Sequence, residues 1–125
     1  MRDLLLVFLG GGLGSTVRFS LGRWVNALHN HNFPWGTLAV NILACFILGF
    51  VIGLADHKQI ISASSRLFWT VGFCGGFSTF STFSNETFYL IQSGFTVSLI
   101  LYIGLSLLLC IAAIYGGLYL GENIG

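Results

Sequence analysis

Apolar residues run through this chain in four long stretches, roughly Leu4 to Leu21, Thr37 to Ala55, Leu67 to Ile91 and Phe95 to Leu120, separated by short polar punctuation. A bilayer is crossed by about 20 predominantly apolar residues in helical form, and each stretch is of that order. Turn formers fill the gaps: Asn30 to Pro34, Asp56 to Ser65, and a tight hairpin at Gln92-Ser93-Gly94. Lys, Arg, Asp and Glu respect the same divisions. After Arg23 the next is Asp56, after Arg66 the next is Glu86, and none lies between Glu86 and Glu122. The pattern predicts an all-α membrane protein of four transmembrane helices, a single integral membrane domain over residues 1–125. Composition agrees, with 55% apolar and 7% charged residues in a chain of 125. Met1-Arg2 before an apolar run imitates a secretory signal, but no small-residue cleavage site follows and the Gly-rich stretch continues to Arg18, so this is read as the first span.

A bundle this thin encloses little, so an oligomer is expected. Packing signals occur in each span as Gly10/Gly14, Gly49/Gly53, Gly72/Gly76 and Gly117/Gly121, four GxxxG pairs that let helix backbones approach closely. They serve either the packing of one chain or a dimer. Counting basic residues by side gives Arg2, Lys58 and Arg66 against Arg18 and Arg23, too small an excess to fix an orientation. The expectation is insertion in both directions and an antiparallel, dual-topology homodimer.

Several candidate chemistries fall away. Cys45, Cys74 and Cys110 sit one per span without CxxC spacing and read as structural or incidental. His29 and His31 flank Asn30 in a loop, too few ligands for a metal. The GGGLGS run from Gly10 has Ser15 where a dinucleotide fingerprint needs its third glycine, so no phosphate site is expected. No nucleophile and base stand together for an intramembrane enzyme, and no nucleic-acid partner is expected.

Polar residues inside the spans remain, and each costs free energy unless it faces protein, water or a substrate. Asn41 lies in the second span. Ser78, Thr79, Ser81, Thr82 and Ser84 fill the positions left by Phe77, Phe80 and Phe83 in the third, while Ser98, Tyr102, Ser106 and Cys110 recur every four residues along the fourth, on one slanted face. A membrane hydroxyl often only bonds back to the i−4 carbonyl, but three spans with donors make that reading less comfortable. These donors, with Arg18 near the end of the first span, suit an anion. A proton-coupled cation exporter would want a carboxylate deep in the membrane, and Asp3, Asp56, Glu86 and Glu122 are all off-centre. A small-molecule exporter and a purely structural membrane subunit are the competing classes. Glu86 caps a vestibule, pairs with Arg18 or Arg66, or marks the membrane boundary. Phenylalanine rings have positive edges that an anion can meet, although Phe77, Phe80 and Phe83, at a period of three, cannot all point one way. Gly75-Gly76 before a run of hydroxyls favours a helix break in mid-span, whose freed carbonyls need a partner. Carbonyls converging from two antiparallel copies would suit a hard cation such as sodium.

The segments GGGLGSTVRF, ending just past Arg18, GTLAVN, from Gly36 to Asn41, and GFCGGFSTFSTF in the third span carry a resemblance over nearly the whole chain. The sequence resembles the Fluc (CrcB) family of bacterial fluoride channels. The resemblance implies an antiparallel four-span homodimer in the inner membrane, with two fluoride pathways and passive export of cytoplasmic fluoride. It maps the pore phenylalanines onto Phe80 and Phe83 and the pore asparagine onto Asn41. A structural sodium ion at the dimer centre maps onto Gly75 and Ser78, and the fourth-helix hydroxyl track onto Tyr102 and Ser106, with Cys110 where a hydroxyl is expected. Ser81 and Thr82 join the expected pathway and Arg18 its vestibule.

Overall fold

The computed structural model describes residues 1–28, 33–57, 59 and 61–124. His29, Asn30 and His31 of the expected first loop, and Lys58 of the charge balance, lie outside the described residues. Helix α1 spans Arg2–Ala27, beyond both ends of the expected first span. Helix α2 covers Trp35–Ile52 and continues as a π-helical turn over Gly53–His57. No side chain of its own caps α2; Asn26 at the end of α1 does so, accepting the Gly36 N–H at 2.9 Å. The fourth span is one helix of 28 residues, Thr96–Asn123, here called α6. Among the described residues, Arg2–Ala27, Trp35–Asp56 and Thr96–Asn123 are long and apolar enough to cross a membrane. With its many exposed large apolar side chains, from Leu4 and Phe8 to Leu108, this is an all-α membrane protein.

The third stretch is assembled from pieces. Helix α3 (Ala63–Leu67) begins at Ser62, whose hydroxyl accepts the Ser65 N–H at 3.2 Å. A π-helical segment, Phe68–Cys74, and the short α4, Gly75–Phe77, follow. Ser78 and Thr79 are extended, and α5 runs over Phe80–Ser93 with the Thr79 hydroxyl capping the Thr82 N–H at 3.1 Å. It ends at Gly94, whose φ of 77° is left-handed, with the Phe95 N–H returning to the Leu90 carbonyl at 3.2 Å. The helix therefore stops at Ser78–Thr79 and not at Gly75-Gly76, where the glycine pair led us to expect it.

Close packing explains the difference. A Cβ on Gly76 would overlap the backbone of Gly11, and one on Gly14 would stand 2.8 Å from the Phe77 nitrogen. Glycine is needed there for approach, not for a break. The same holds for all four GxxxG pairs, each of which is used within the chain. Gly10 and Gly14 of α1 lie against Phe68, Gly72, Phe73 and Phe77, while Gly49 and Gly53 meet Ile114 and Leu118, and Gly117 and Gly121 meet Phe46 and Phe50. Contacts advance in the same direction along both partners, so α1 runs parallel to the third stretch and α2 parallel to α6. Two cores result. Val40, Ala44, Phe73, Cys74 and Phe77 form one, and Leu38, Leu90 and Tyr102, with Phe33, Phe83 and Leu99 around them, form the other.

Candidate functional site

Polar residues of α2 and α6 meet as a ladder. Along two parallel helices, a step of four on each keeps the same faces together. The contact of Gly49 with Ile114 sets the register. One turn back, the same register sets Cys45 opposite Cys110, and both line one cavity. A further turn back, Asn41 and Ser106 line the same cavity. The last step brings Thr37 to the Tyr102 side chain. The every-fourth row on α6 thus faces a matching row on α2. Thr37, Asn41, Cys45 and Gly49 repeat at the same interval, a signal present in the sequence that only the α6 half revealed.

Asn41 is the hinge of the site. Its amide donates to the Thr79 carbonyl at 3.2 Å, and its Oδ1 accepts the Thr79 N–H at 2.9 Å. A single side chain thereby replaces two backbone hydrogen bonds that the extended residues forfeit. From the other side, Arg18 Nε donates to the Gly76 carbonyl at 3.0 Å, and the Ser15 hydroxyl approaches the same oxygen at 3.4 Å. A guanidinium on a terminal carbonyl also opposes the negative end of the helix dipole.

Two hollows adjoin the break and share Thr79. One, of about 230 Å³, is lined by Asn41, Cys45, Ser78, Thr79, Phe80, Phe83, Ser106, Leu107 and Cys110. The other, of about 180 Å³, holds Arg18, Arg23, Thr37, Thr82 and Glu86. The three phenylalanines part company across the interruption: Phe77, on α4, is buried in the first core, while on α5 Phe83 packs on Tyr102 with ring centroids 5.0 Å apart and Phe80 is 78% exposed beside Phe83 at 5.8 Å. Ser81 is exposed near the Thr79 hydroxyl at 3.4 Å. Buried Tyr102 donates its hydroxyl to Glu86 Oε1 at 3.0 Å, whereas Arg66 pairs with Asp56 and Arg18 with Gly76. Glu86 therefore lines the smaller hollow and pairs with neither Arg18 nor Arg66. Ser106 is 7% exposed, and its hydroxyl has no hydrogen-bond partner among the described residues.

The local reading of membrane hydroxyls holds for some residues and fails for others. Thr16, Thr70, Ser78 and Thr87 each donate to the carbonyl four residues back, at 2.7 to 2.8 Å. Asn41, Tyr102 and Ser106 do not. Thr79, one of the polar residues of the third stretch, adjoins both hollows, a position the sequence alone does not assign because it depends on the Asn41 amide reaching it from another helix.

Comparison with known proteins places this geometry among relatives. Residues 5–118 match the family model described as CrcB-like protein, Camphor Resistance (CrcB). The chain is 45% identical over 122 residues to the Fluoride-specific ion channel FluC of Phocaeicola vulgatus, covering 98% of this chain and 100% of the relative. It is 41% identical over 126 residues to the protein of that name from Bacteroides fragilis, covering 98% of each chain. Agrobacterium fabrum has another, 42% identical over 124 residues and 99% of each.

Proposed function

The chain belongs to the CrcB-like family, and from that premise we propose that it is a fluoride-specific channel of the bacterial inner membrane, exporting cytoplasmic fluoride passively. It is not an enzyme; the relatives are named as ion channels. The observation that carries the reading is the Ser106 hydroxyl, buried without a partner in a hollow that also holds the Asn41 amide and the Phe80 and Phe83 rings. A buried hydroxyl left unpaired costs about 1–3 kcal/mol, and an anion or water passing through the hollow would satisfy it.

Hydrogen fluoride enters cells as a neutral acid and dissociates, and the membrane potential then drives the trapped anion out through a selective path. Small, tightly hydrated fluoride needs its lost water replaced by donors. Arg18 and Arg23 outnumber Glu86 in the smaller hollow and favour an entering anion. Thr82 stands there as a donor, Ser81 is exposed at the start of α5, and Asn41, Ser106 and the ring edges of Phe80 and Phe83 follow beyond Thr79. The Tyr102 hydroxyl is spent on Glu86 in this conformation, so it joins the path by exchanging that partner.

The larger hollow and the exposed Phe80 lack a cover, which supports an antiparallel second copy closing the path, with the Ser78–Thr79 interruption at mid-membrane. Gly75 is exposed with open space where a Cβ would stand, and the Ser78 hydroxyl, donating to the Cys74 carbonyl at 2.7 Å, lies near the same helix end, which offers neutral oxygens. That donor chemistry fits a hard cation in part, and Gly75 and Ser78 of two copies would hold the sodium, which would neutralise facing carbonyl ends and join the subunits. Fluoride efflux from proteoliposomes, read with a fluoride electrode and repeated with chloride, tests the channel. Fast fluoride release without chloride release is expected, and no fluoride release from well-folded protein overturns the reading. Repeating it with sodium replaced by a bulky cation tests the ion site, and tagging both termini tests dual topology, since finding the tags only in the cytoplasm refutes it.

A further inference from the structure

The Cys45/Cys110 rung of the ladder is unlike its neighbours. Cys45 and Cys110 face each other from parallel helices, one turn from the Gly49–Ile114 contact, and both line the hollow of about 230 Å³ with the Ser106 hydroxyl, which has no hydrogen-bond partner among the described residues. The remaining cysteine is engaged elsewhere, its thiol donating to the Ala44 carbonyl at 3.6 Å. No cluster of three or more His, Cys, Asp and Glu ligands forms among the described residues. A tetrahedral zinc site is therefore not built here, whereas soft ions with filled d shells accept two sulfurs in line.

We infer that Cys45 and Cys110 form a two-thiolate site for a soft d10 metal cation, and that its occupation closes the anion path at this rung. The closure rests on the fluoride reading; the site itself does not. With mercury(II) as the ion, each S–H bond gives way to an S–Hg bond and two protons leave to water. Nothing is oxidised or reduced. The product, one dication with two thiolates, is neutral, so it avoids the cost of an unpaired charge in apolar surroundings.

Purified protein titrated with mercury(II) chloride, followed by sulfur-to-metal charge-transfer absorption, tests the site. The expected band saturates at one ion per chain, is lost in Cys45→Ser and in Cys110→Ser, and persists in Cys74→Ser; Cys45→Ala repeats the test without adding a hydroxyl. A band that survives loss of either Cys45 or Cys110, or binding of one ion at every cysteine, overturns the site. In proteoliposomes, mercury(II) should abolish fluoride release from the native chain, excess dithiothreitol should restore it, and Cys45→Ser should be insensitive. Metal binding with undiminished flux overturns the closure. Protein that releases no fluoride even without metal refutes the fluoride reading instead, and the absorption titration still decides the site.

Discussion

Two parallel helix pairs hold this chain together, and both are joined by glycine. Gly10 and Gly14 bring α1 onto the third stretch, while Gly49, Gly53, Gly117 and Gly121 bring α2 onto α6. In each the backbones approach until a methyl group would not fit, the usual means of helix association in a membrane, where hydrophobic exclusion from water gives no drive. The pairs differ in what lies beyond the glycines. Past α1 the partner helix stops, and Arg18 holds the Gly76 carbonyl left over. Along α2 and α6 the helices continue, and polar side chains fill the rungs from Cys45/Cys110 to Thr37/Tyr102. One motif can thus close a purely structural seam or anchor the register of a polar row.

The most severe way to break the comparison is to fill a glycine. Gly117→Leu pushes side-chain atoms into the backbone at Phe46 and Phe50, and Gly14→Leu does the same at Phe73 and Phe77. Each should exceed the about 1–3 kcal/mol of ordinary overpacking and abolish the monodisperse size-exclusion peak. Gly104→Leu, with nothing within 4 Å, should keep it. Equal loss in all three would mean that the seams are not the weak points.

Next in size is Asn41→Asp. It exchanges the amide donor to the Thr79 carbonyl for a negative charge facing the larger hollow. A barrier of even about 3 kcal/mol against an anion lowers passage more than about a hundredfold, so fluoride flux should vanish; normal flux would take Asn41 out of the path. Replacing Phe80 or Phe83 with Ile keeps apolar bulk and removes the ring edge. At about 0.5–1.5 kcal/mol per aromatic contact, a fall in flux of up to about tenfold is expected, with an unchanged size-exclusion profile. Unaltered flux would make the rings packing alone.

The smallest effect is expected at the charged end of the molecule. Arg66 meets Asp56 at 2.5 and 3.2 Å, but the two side chains are 46% and 51% exposed. Exposed pairs contribute about 0–1 kcal/mol, so Arg66→Ala should shift thermal unfolding in detergent slightly and leave flux alone. A large loss of stability would show that this pair anchors α3 and the third stretch.

The sequence alone determined three of the four expected spans and the polar face of α6, because these follow from hydropathy, helix period and the cost of polar groups in a bilayer, whereas the third stretch is broken into pieces. Motif resemblance pointed to the family, which the comparisons then bore out. Only the tertiary structure decided which helix each glycine pair meets, since GxxxG marks a close approach without naming the partner. It moved the helix interruption to Ser78–Thr79, because the Asn41 amide, distant in sequence, supplies the hydrogen bonds that make an interruption affordable there. The register between α2 and α6 set Cys45 against Cys110, and the packing of α5 on α6 gave Glu86 to Tyr102. Such contacts depend on distances between helices, and a hydropathy pattern carries only the period within one.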